Sequence, residues 1–329
     1  MIDKIRSTVK KYNMLEENDR ILVGLSGGPD SVVLLHVLLK LKKEYSLDIY
    51  IAHLDHKFRG EESTKDRRFC EELGRKLNLE VIYEEKDVSR IAKEKGKSFE
   101  EAARFARYDF FKRTARIKKI QKIAVGHTKD DQAETVLMRM FRGCGSKGLG
   151  GMDPVKYMEG IIIIRPLIEI LRCEIDSFIR EHDLQSRHDS SNDLLMFTRN
   201  SIRHEVIPYL ENKFNPRLKE VLSNMAENLR MENEFLEKFS KRKFKSVSKR
   251  PKSNEIVLDI NKFRKQPEAI RKRILRSALE DLKGNLRRLT YQHWKEMEEL
   301  IEKRPGNSIV DLPGGINIIK NKKKLIIQG

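Results

Sequence analysis

LVGLSGGPDSVVLLHVLLKL, residues 22–41, falls into three parts. Residues 21–25 form an apolar run of strand length, and residues 32–41 form an apolar run of helix length. Between them lies a tight polar loop, Ser26-Gly27-Gly28-Pro29-Asp30-Ser31. Strand, glycine loop and helix start together make a phosphate cradle. The glycines let backbone amides approach an anion, and the helix N-terminus adds its partial positive charge. The loop is not a Walker A motif, because no lysine precedes its final serine. The same residue types build ordinary strand-to-helix turns. Two glycines, two hydroxyls and a carboxylate packed between buried elements favour the phosphate reading. Asp30 alone would repel phosphates, so a Mg²⁺ ion between them is the natural expectation.

Working outward, residues 48–54 (DIYIAHL) read as a second strand ending in His53-Leu54-Asp55-His56. A charged helix at about 62–77 precedes a third strand at 80–83. Ser98 and Glu101 form a capping-box pair ahead of a long helix, residues 99–118. A fourth strand at 122–125 ends in Gly126-His127. A helix then begins near Asp130 and runs to GCGSKGLGG, residues 143–151. A fifth strand at 161–164 leads into Arg165-Pro166 and a helix from about Cys173. Residues 1–19 read as an amphipathic helix. Such alternation predicts an α/β fold with a doubly wound, mostly parallel sheet. Ligands bind such sheets beyond the carboxyl ends of the strands. The loop at 26–31, HLDH and GHTKDD all fall at those ends, which is the main sign of a single site.

The composition adds a partner. The 329 residues carry 68 Lys and Arg against 50 Asp and Glu, a net charge of +18. That excess suits a polyanion, nucleic acid first. Cys70, Cys144 and Cys173 show no metal-ligand spacing, as expected of free thiols in a reducing compartment. No run approaches the ~20 apolar residues of a membrane span, and the N-terminus lacks an apolar signal core. A cytoplasmic protein with no membrane partner is expected. Past residue 200 the pattern changes. Residues 216–239 and 267–302 read as charged helices flanking the basic segment KRKFKSVSKRPK, and the end reads as short strands. We place a boundary near Asn215-Pro216, giving a nucleotide-binding catalytic domain over 1–215 and a smaller, mainly helical C-terminal domain over 216–329.

Several residues are candidates for chemistry. In His127-Thr128-Lys129-Asp130-Asp131-Gln132-Ala133-Glu134, the acids share roughly one helix face. Helix capping would explain one acid. Three acids behind a histidine at a strand end equally suit a cation-binding or proton-handling cluster, an ammonium being one such cation. Arg104 and Arg107 lie on the capped helix. They read as a solvated face, although Arg107 would stabilise developing negative charge if that helix borders the site. His53 and Asp55 are either site residues or strand-end polar residues. Residues 187–205, with Arg199 and Arg203, read either as a phosphate-contacting edge or as a loop leading into a helix. The basic clusters at 241–252, 271–276 and 320–324 together suit an RNA backbone.

These motifs resemble a known family. SGGPDS resembles the PP-loop of ATP pyrophosphatases, and the missing Walker lysine agrees. HLDHKFRG, EEAARFARYDFF, GHTKDDQAETVLMRMFRGCGSKGLGGM, RPLIEI and DSSNDLLMFTRNSIRHEVIPYL resemble the tRNA(Ile)-lysidine synthetases. The likeness is dense over about 20–210, and VDLPGGINII extends it into the C-terminal part. It implies an adenine nucleotide alpha hydrolase-like fold, with ATP and Mg²⁺ as cofactors and free L-lysine and tRNA(Ile) with a CAU anticodon as partners. The implied enzyme adenylates the carbonyl oxygen at carbon-2 of the wobble cytidine. The lysine side-chain amine then displaces AMP, and decoding changes from AUG to AUA.

By this resemblance Ser26, Gly27, Gly28, Pro29, Asp30 and Ser31 hold ATP, with Asp30 near the metal; from their strand-end position, His53 and Asp55 are placed at the same ATP site. Arg107 serves adenylation. By the same resemblance His127, Asp131 and Glu134 recognise and activate lysine; on the phosphate-edge reading of 187–205, Arg199 and Arg203 are expected to contact tRNA. The 143–151 segment would be a mobile loop near the target base. The chain length fits a form with one C-terminal domain where many members have two, and a homodimer stays open. A PP-loop thiolase is the nearest alternative, although those with cysteine chemistry need clustered thiols. A non-catalytic RNA-binding protein is a more distant one, disfavoured by the complete motifs.

Overall fold

A computed structural model describes residues 1–57, 61–187, 198–284, 286 and 288–329. Residues 58–60 of HLDHKFRG and residues 188–197 of the 187–205 stretch lie outside the described residues. The chain divides into two compact units, Met1–Arg230 and Met231–Gly329.

The first unit runs α1 (Ile2–Lys11), β1 (Arg20–Gly24), α2 (Pro29–Tyr45), β2 (Asp48–Asp55), α3 (Glu61–Lys76), β3 (Val81–Glu85), α4 (Val88–Lys95) and α5 (Phe99–Lys118). It continues with β4 (Lys122–Ala124), α6 (Lys129–Phe141), α7 (Ser146–Leu149), β5 (Val155–Met158), β6 (Ile161–Ile164) and α8 (Arg172–Glu181). From residue 198 onward come α9 (Thr198–Ser201), a π-helical turn (Ile202–Val206), α10 (Ile207–Lys213) and the start of α11 (Leu218–Val247). The strand order is β3-β2-β1-β4-β6-β5, and every neighbouring pair is parallel except β5–β6. The doubly wound, mostly parallel sheet is therefore present.

The apolar runs explain the layers. In β1, Ile21 and Val23 pack with Val32, Val33, Leu34 and Leu38 of α2 on one face. Leu22 packs on the opposite face with Ala106, Phe110 and Phe111 of α5. Alternate side chains of a strand point to opposite faces, so a continuous apolar run is what a strand covered on both sides requires. α2 is apolar on nearly all sides because it is buried between the sheet and α8, with Val37, Leu38 and Leu41 fully covered. Burying each such side chain contributes about 1.5–3 kcal/mol before conformational entropy is counted.

Several expectations need correction. The N-terminal helix ends at Lys11, well short of residue 19. The short, charged α4 and the antiparallel β5 were not expected, so the run at 161–164 is the sixth strand. The helical stretch expected over 267–302 is two helices, Glu268–Lys283 and Tyr291–Glu302. The second unit contains the rest of α11, then β7 (Ser248–Lys252), β8 (Glu255–Asp259), α12 (Ile260–Arg264), α13 (Glu268–Lys283), α14 (Tyr291–Glu302), β9 (Ile309–Leu312), β10 (Ile316–Lys320) and β11 (Lys324–Gln328). α13 stops at Gly284, whose φ of +74° is a left-handed C-cap, and Thr290 starts α14. The basic segment at 241–252 is the end of α11 followed by β7. Two strands thus precede the C-terminal helices, and all five make one sheet, β7-β8-β11-β10-β9. Pro251 is tolerated because β7 is an edge strand with an irregular register.

Candidate active site

β1 leads to β2 on one side of itself, whereas the chain later returns to place β4 on the other side. The β1/β4 boundary is therefore the topological switch point, where an open α/β sheet leaves a crevice for ligand. The loop after β1 is Leu25–Ser31, and the turn after β4 is Gly126-His127-Thr128, so two of the three predicted clusters meet there.

The phosphate loop is held by its own hydroxyls. Ser31 Oγ donates to the Gly28 carbonyl at 2.8 Å and accepts from the Ser26 amide at 3.2 Å. The amides of Ser31 and Val32 both turn back onto the Gly28 carbonyl at 3.1 Å, starting α2. Pro29 occupies the first turn, where its missing N–H costs nothing. Gly27 has φ of +88°, a conformation that glycine adopts without strain. Gly126 matters for a different reason. A Cβ there would sit 3.1 Å from the backbone carbonyl of Asp30 and 3.2 Å from the Ser31 amide. The two loops are in backbone contact. Gly126→Val should therefore force them apart at a cost of about 1–3 kcal/mol. The expected result is a Tm lowered by on the order of 5 °C and a reduced thermal shift with ATP. An unchanged ATP-dependent shift would contradict this.

Asp30 lies in the first turn of α2. Both its carboxylate oxygens accept from Arg172 Nη1 at 3.1 Å. Burial pushes its carboxyl up to about 6, with Arg172 opposing. Asp130 accepts from the Arg172 amide at 2.7 Å and pairs with Lys219 at 3.0 Å.

Thr128 and Asp131 form a reciprocal capping box at the start of α6. The Thr128 amide donates to Asp131 Oδ2 at 2.8 Å, and the Asp131 amide donates to Thr128 Oγ1 at 3.3 Å. The capping reading of these acids is thus correct for Asp131. Its other oxygen has a second task. Asp131 Oδ1 accepts from Arg199 at 3.0 Å and from Arg203 at 3.3 Å. Glu134, only 1% exposed, accepts from the Nε of each arginine at 2.6 Å. Two acids and two arginines form one closed network. Burial opposes their charge, and the two acids nevertheless raise the pKa of Arg199 and Arg203 above the ordinary arginine value. Asp131 is held below its ordinary range by Arg199, also against burial. Arg199 and Arg203, expected at a tRNA surface, thus bind the acids expected to recognise lysine.

His127 accepts a hydrogen bond at Nδ1 from Arg165 Nε at 3.2 Å. Burial depresses its pKa strongly, to about 3, with Asp131 opposing and Arg165 reinforcing. The ring is neutral at neutral pH. Across the sheet, buried His53 donates from Nδ1 to the Leu25 carbonyl at 2.9 Å, and its Nε2 is buried without a partner among the described residues. Asp55, also buried, accepts from the Lys57 amide at 2.8 Å. Arg107 is exposed, with Nη2 3.5 Å from His56 Nε2 just past β2. The described atoms join Asp131, Glu134, Arg199 and Arg203 directly. His53, Asp55 and Arg107 lie at the neighbouring strand end.

A PP-loop domain family matches residues 1–210, and the TilS substrate binding domain matches residues 258–322. The tRNA(Ile)-lysidine synthase of Caldanaerobacter subterraneus subsp. tengcongensis is 40% identical over 100% of this chain and 69% of its own length. This chain belongs to the tRNA(Ile)-lysidine synthase family. The lysidine synthase of Clostridioides difficile is 35% identical over 99% of this chain and 70% of its own length. Among solved structures, the U34-tRNA thiolase NcsA of Methanococcus maripaludis with its [4Fe-4S] cluster superposes with a TM-score of 0.55 at 20% identity. The match covers 70% of this chain and 78% of the thiolase, and it shows a shared fold.

Two site residues of this lysidine synthase family member were missed in the sequence. Arg172 preceded the expected helix start and carried no motif. Arg165 heads the RPLIEI segment, but a charge directly after an apolar strand is a signal that many solvated strand ends share, and no role was expected for it.

Proposed function

We propose that the chain joins L-lysine to carbon-2 of the wobble cytidine of a tRNA(Ile) with a CAU anticodon, producing lysidine. The observation that carries this reading is the meeting of a PP-loop and a paired acid–arginine cluster at one switch point, in a chain of this family. The carbonyl oxygen at carbon-2 attacks the α-phosphorus of ATP, and pyrophosphate leaves. The lysine side-chain amine then adds at carbon-2, and AMP leaves with the activated oxygen. One proton is released from the attacking amine.

The amides of the 26–31 loop and the α2 N-terminus bind the phosphates. A Mg²⁺ ion fits this chain in a limited sense. Such ions are bound through one or two carboxylates with phosphate oxygens. Asp30 offers one partly exposed carboxylate, and no group of three ligating side chains occurs among the described residues. Asp30 would hold the ion together with the nucleotide, and the ion would neutralise charge on the departing pyrophosphate. Arg172 must then leave at least one oxygen of Asp30. His53 and Asp55 contribute to the nucleotide pocket, and Arg107 stabilises charge during adenylation. Lysine carries both signs of charge, as does the cluster. Arg199 and Arg203 suit its carboxylate, and Asp131 and Glu134 suit its α-ammonium. This assignment moves the two arginines from tRNA to the amino acid. The C-terminal unit supplies basic side chains for the tRNA backbone.

A thiolase reading receives no support from the cysteines. Burial pushes the Cys70 thiol up to about 12, and Cys144 and Cys173 lie in different segments. The test combines unmodified tRNA(Ile) CAU transcript, ATP and labelled lysine. ATP-dependent labelling of the tRNA is expected. ATP–pyrophosphate exchange without lysine incorporation would overturn the lysidine reading and leave the PP-loop chemistry intact.

A further inference from the structure

Arg165 follows β6 directly and is 2% exposed. Its guanidinium donates to the Asp153 carbonyl at 2.6 Å and to His127 Nδ1 at 3.2 Å. Among the described residues no carboxylate lies within salt-bridge distance of it. A buried charge without a counter-ion costs several kcal/mol, and an apolar side chain of similar volume would fill the space at no such cost. The position calls for a reason beyond packing.

Hydrogen-bond inventory supplies one. A guanidinium only donates, so the ring nitrogen it meets must be an acceptor. A neutral imidazole has one acceptor and one N–H, and the bond at one nitrogen sets the state of the other. His127 Nδ1 is thereby unprotonated, and the proton is on Nε2. That Nε2 has no hydrogen-bond partner among the described residues, and His127 as a whole residue is half-buried. Gly126, the preceding residue, is in backbone contact with the first turn of α2, so the backbone leading into His127 runs beside the phosphate loop.

We propose that Arg165 is a positioning residue that fixes His127 as its Nε2–H tautomer, which makes His127 a hydrogen-bond donor to a negatively charged substrate oxygen and not the base that frees the attacking amine. The tautomer follows from geometry alone, whereas the assignment of its acceptor rests on the adenylation chemistry proposed above. The charged groups around the ring agree. Arg165, Arg199 and Arg104 disfavour an imidazolium, and Asp131 favours one.

The test is long-range ¹H–¹⁵N correlation spectroscopy on the full ¹⁵N-histidine-labelled chain, with the His127 signal assigned by its loss in His127→Gln. The wild type should show the Nε2–H pattern at pH 6–8. Arg165→Met should shift the ring toward mixed tautomers and a higher pKa, and Arg165→Lys should restore the Nε2–H pattern in part. In turnover, glutamine places an amide N–H near the Nε2 position. His127→Gln should lose about tenfold and His127→Ala about a hundredfold or more. An Nδ1–H tautomer or an imidazolium in the wild type at pH 7 would overturn the proposal. Equal losses in the glutamine and alanine variants would overturn the donor role. If Arg165→Met does not fold, the wild-type spectrum and the two His127 variants still decide. A wild type that incorporates no lysine refutes the lysidine reading, while the spectrum still decides the tautomer.

Discussion

Asp30→Asn should abolish lysine incorporation and ATP–pyrophosphate exchange while raising the melting temperature at pH 8. The two effects have one origin. Its carboxyl is pushed up to about 6 by burial, and Arg172 only partly offsets this. A group whose folded pKa lies above its unfolded value binds its proton more tightly in the folded chain. Its favourable contribution is complete below about pH 4 and is lost as the pH rises through about 6. At pH 8 the ionised carboxylate therefore opposes folding, and asparagine removes that opposition. The gain should be a few degrees, at about 2–4 °C per kcal/mol for a unit of this size. It should shrink toward zero near pH 4. The activity loss follows from removing the carboxylate that would hold the metal at the phosphates. Several kcal/mol of transition-state stabilisation correspond to roughly two to three powers of ten in rate. Thermal melts from pH 4 to 8 beside exchange assays would check both halves. A lower Tm at pH 8 would mean that the Arg172 contact outweighs burial.

The second large effect concerns the acid–arginine network. Arg199→Ala or Arg203→Ala alone leaves Glu134 one guanidinium, and a loss of about 1–2 kcal/mol is expected. Removing both leaves a carboxylate that is 1% exposed with no counter-charge in this network. That should cost about 3–5 kcal/mol, more than the sum of the single changes. Glu134→Ala should cost less, because the arginine side chains are 28% and 35% exposed and can reach water. All four variants should lose lysine incorporation while keeping ATP–pyrophosphate exchange wherever they fold. A denaturant series on the four chains measures the coupling. Additive losses would show that the four groups do not act as one unit.

Legibility in the sequence followed interaction range. β1, the glycine loop and α2 could be read because each is specified by adjacent residues. The capping pair Ser98/Glu101 was legible for the same reason, and it forms as expected. β5 was not, since VKYM is short, mostly half-exposed and stabilised by its antiparallel partner alone. α4 is short and highly charged, and its register depends on packing against α5. The C-terminal sheet was half visible. Its last three strands alternate clearly, whereas β7 is a run of basic residues interrupted by proline. Site residues divided similarly. Asp30, His127, Asp131 and Glu134 stood in motifs, and the meeting of their loops followed from strand-end logic. The partners of the acids did not, because Arg199 and Arg203 come back from a distant segment. No local pattern marks Arg165 as the neighbour of His127.

That distance has a consequence for biogenesis. Glu134 binds arginines that lie 65 and 69 residues later in the chain. At about 5–20 residues per second of synthesis, they emerge from the ribosome several seconds after the acid. The strands up to β6 are complete before Arg199 is made. A growing chain can thus assemble its sheet around an unneutralised acidic patch, and the arginines close it last. Nascent chains stopped between residues 170 and 198 should be more protease-sensitive at α6 than chains stopped beyond 213, and high salt should narrow the difference.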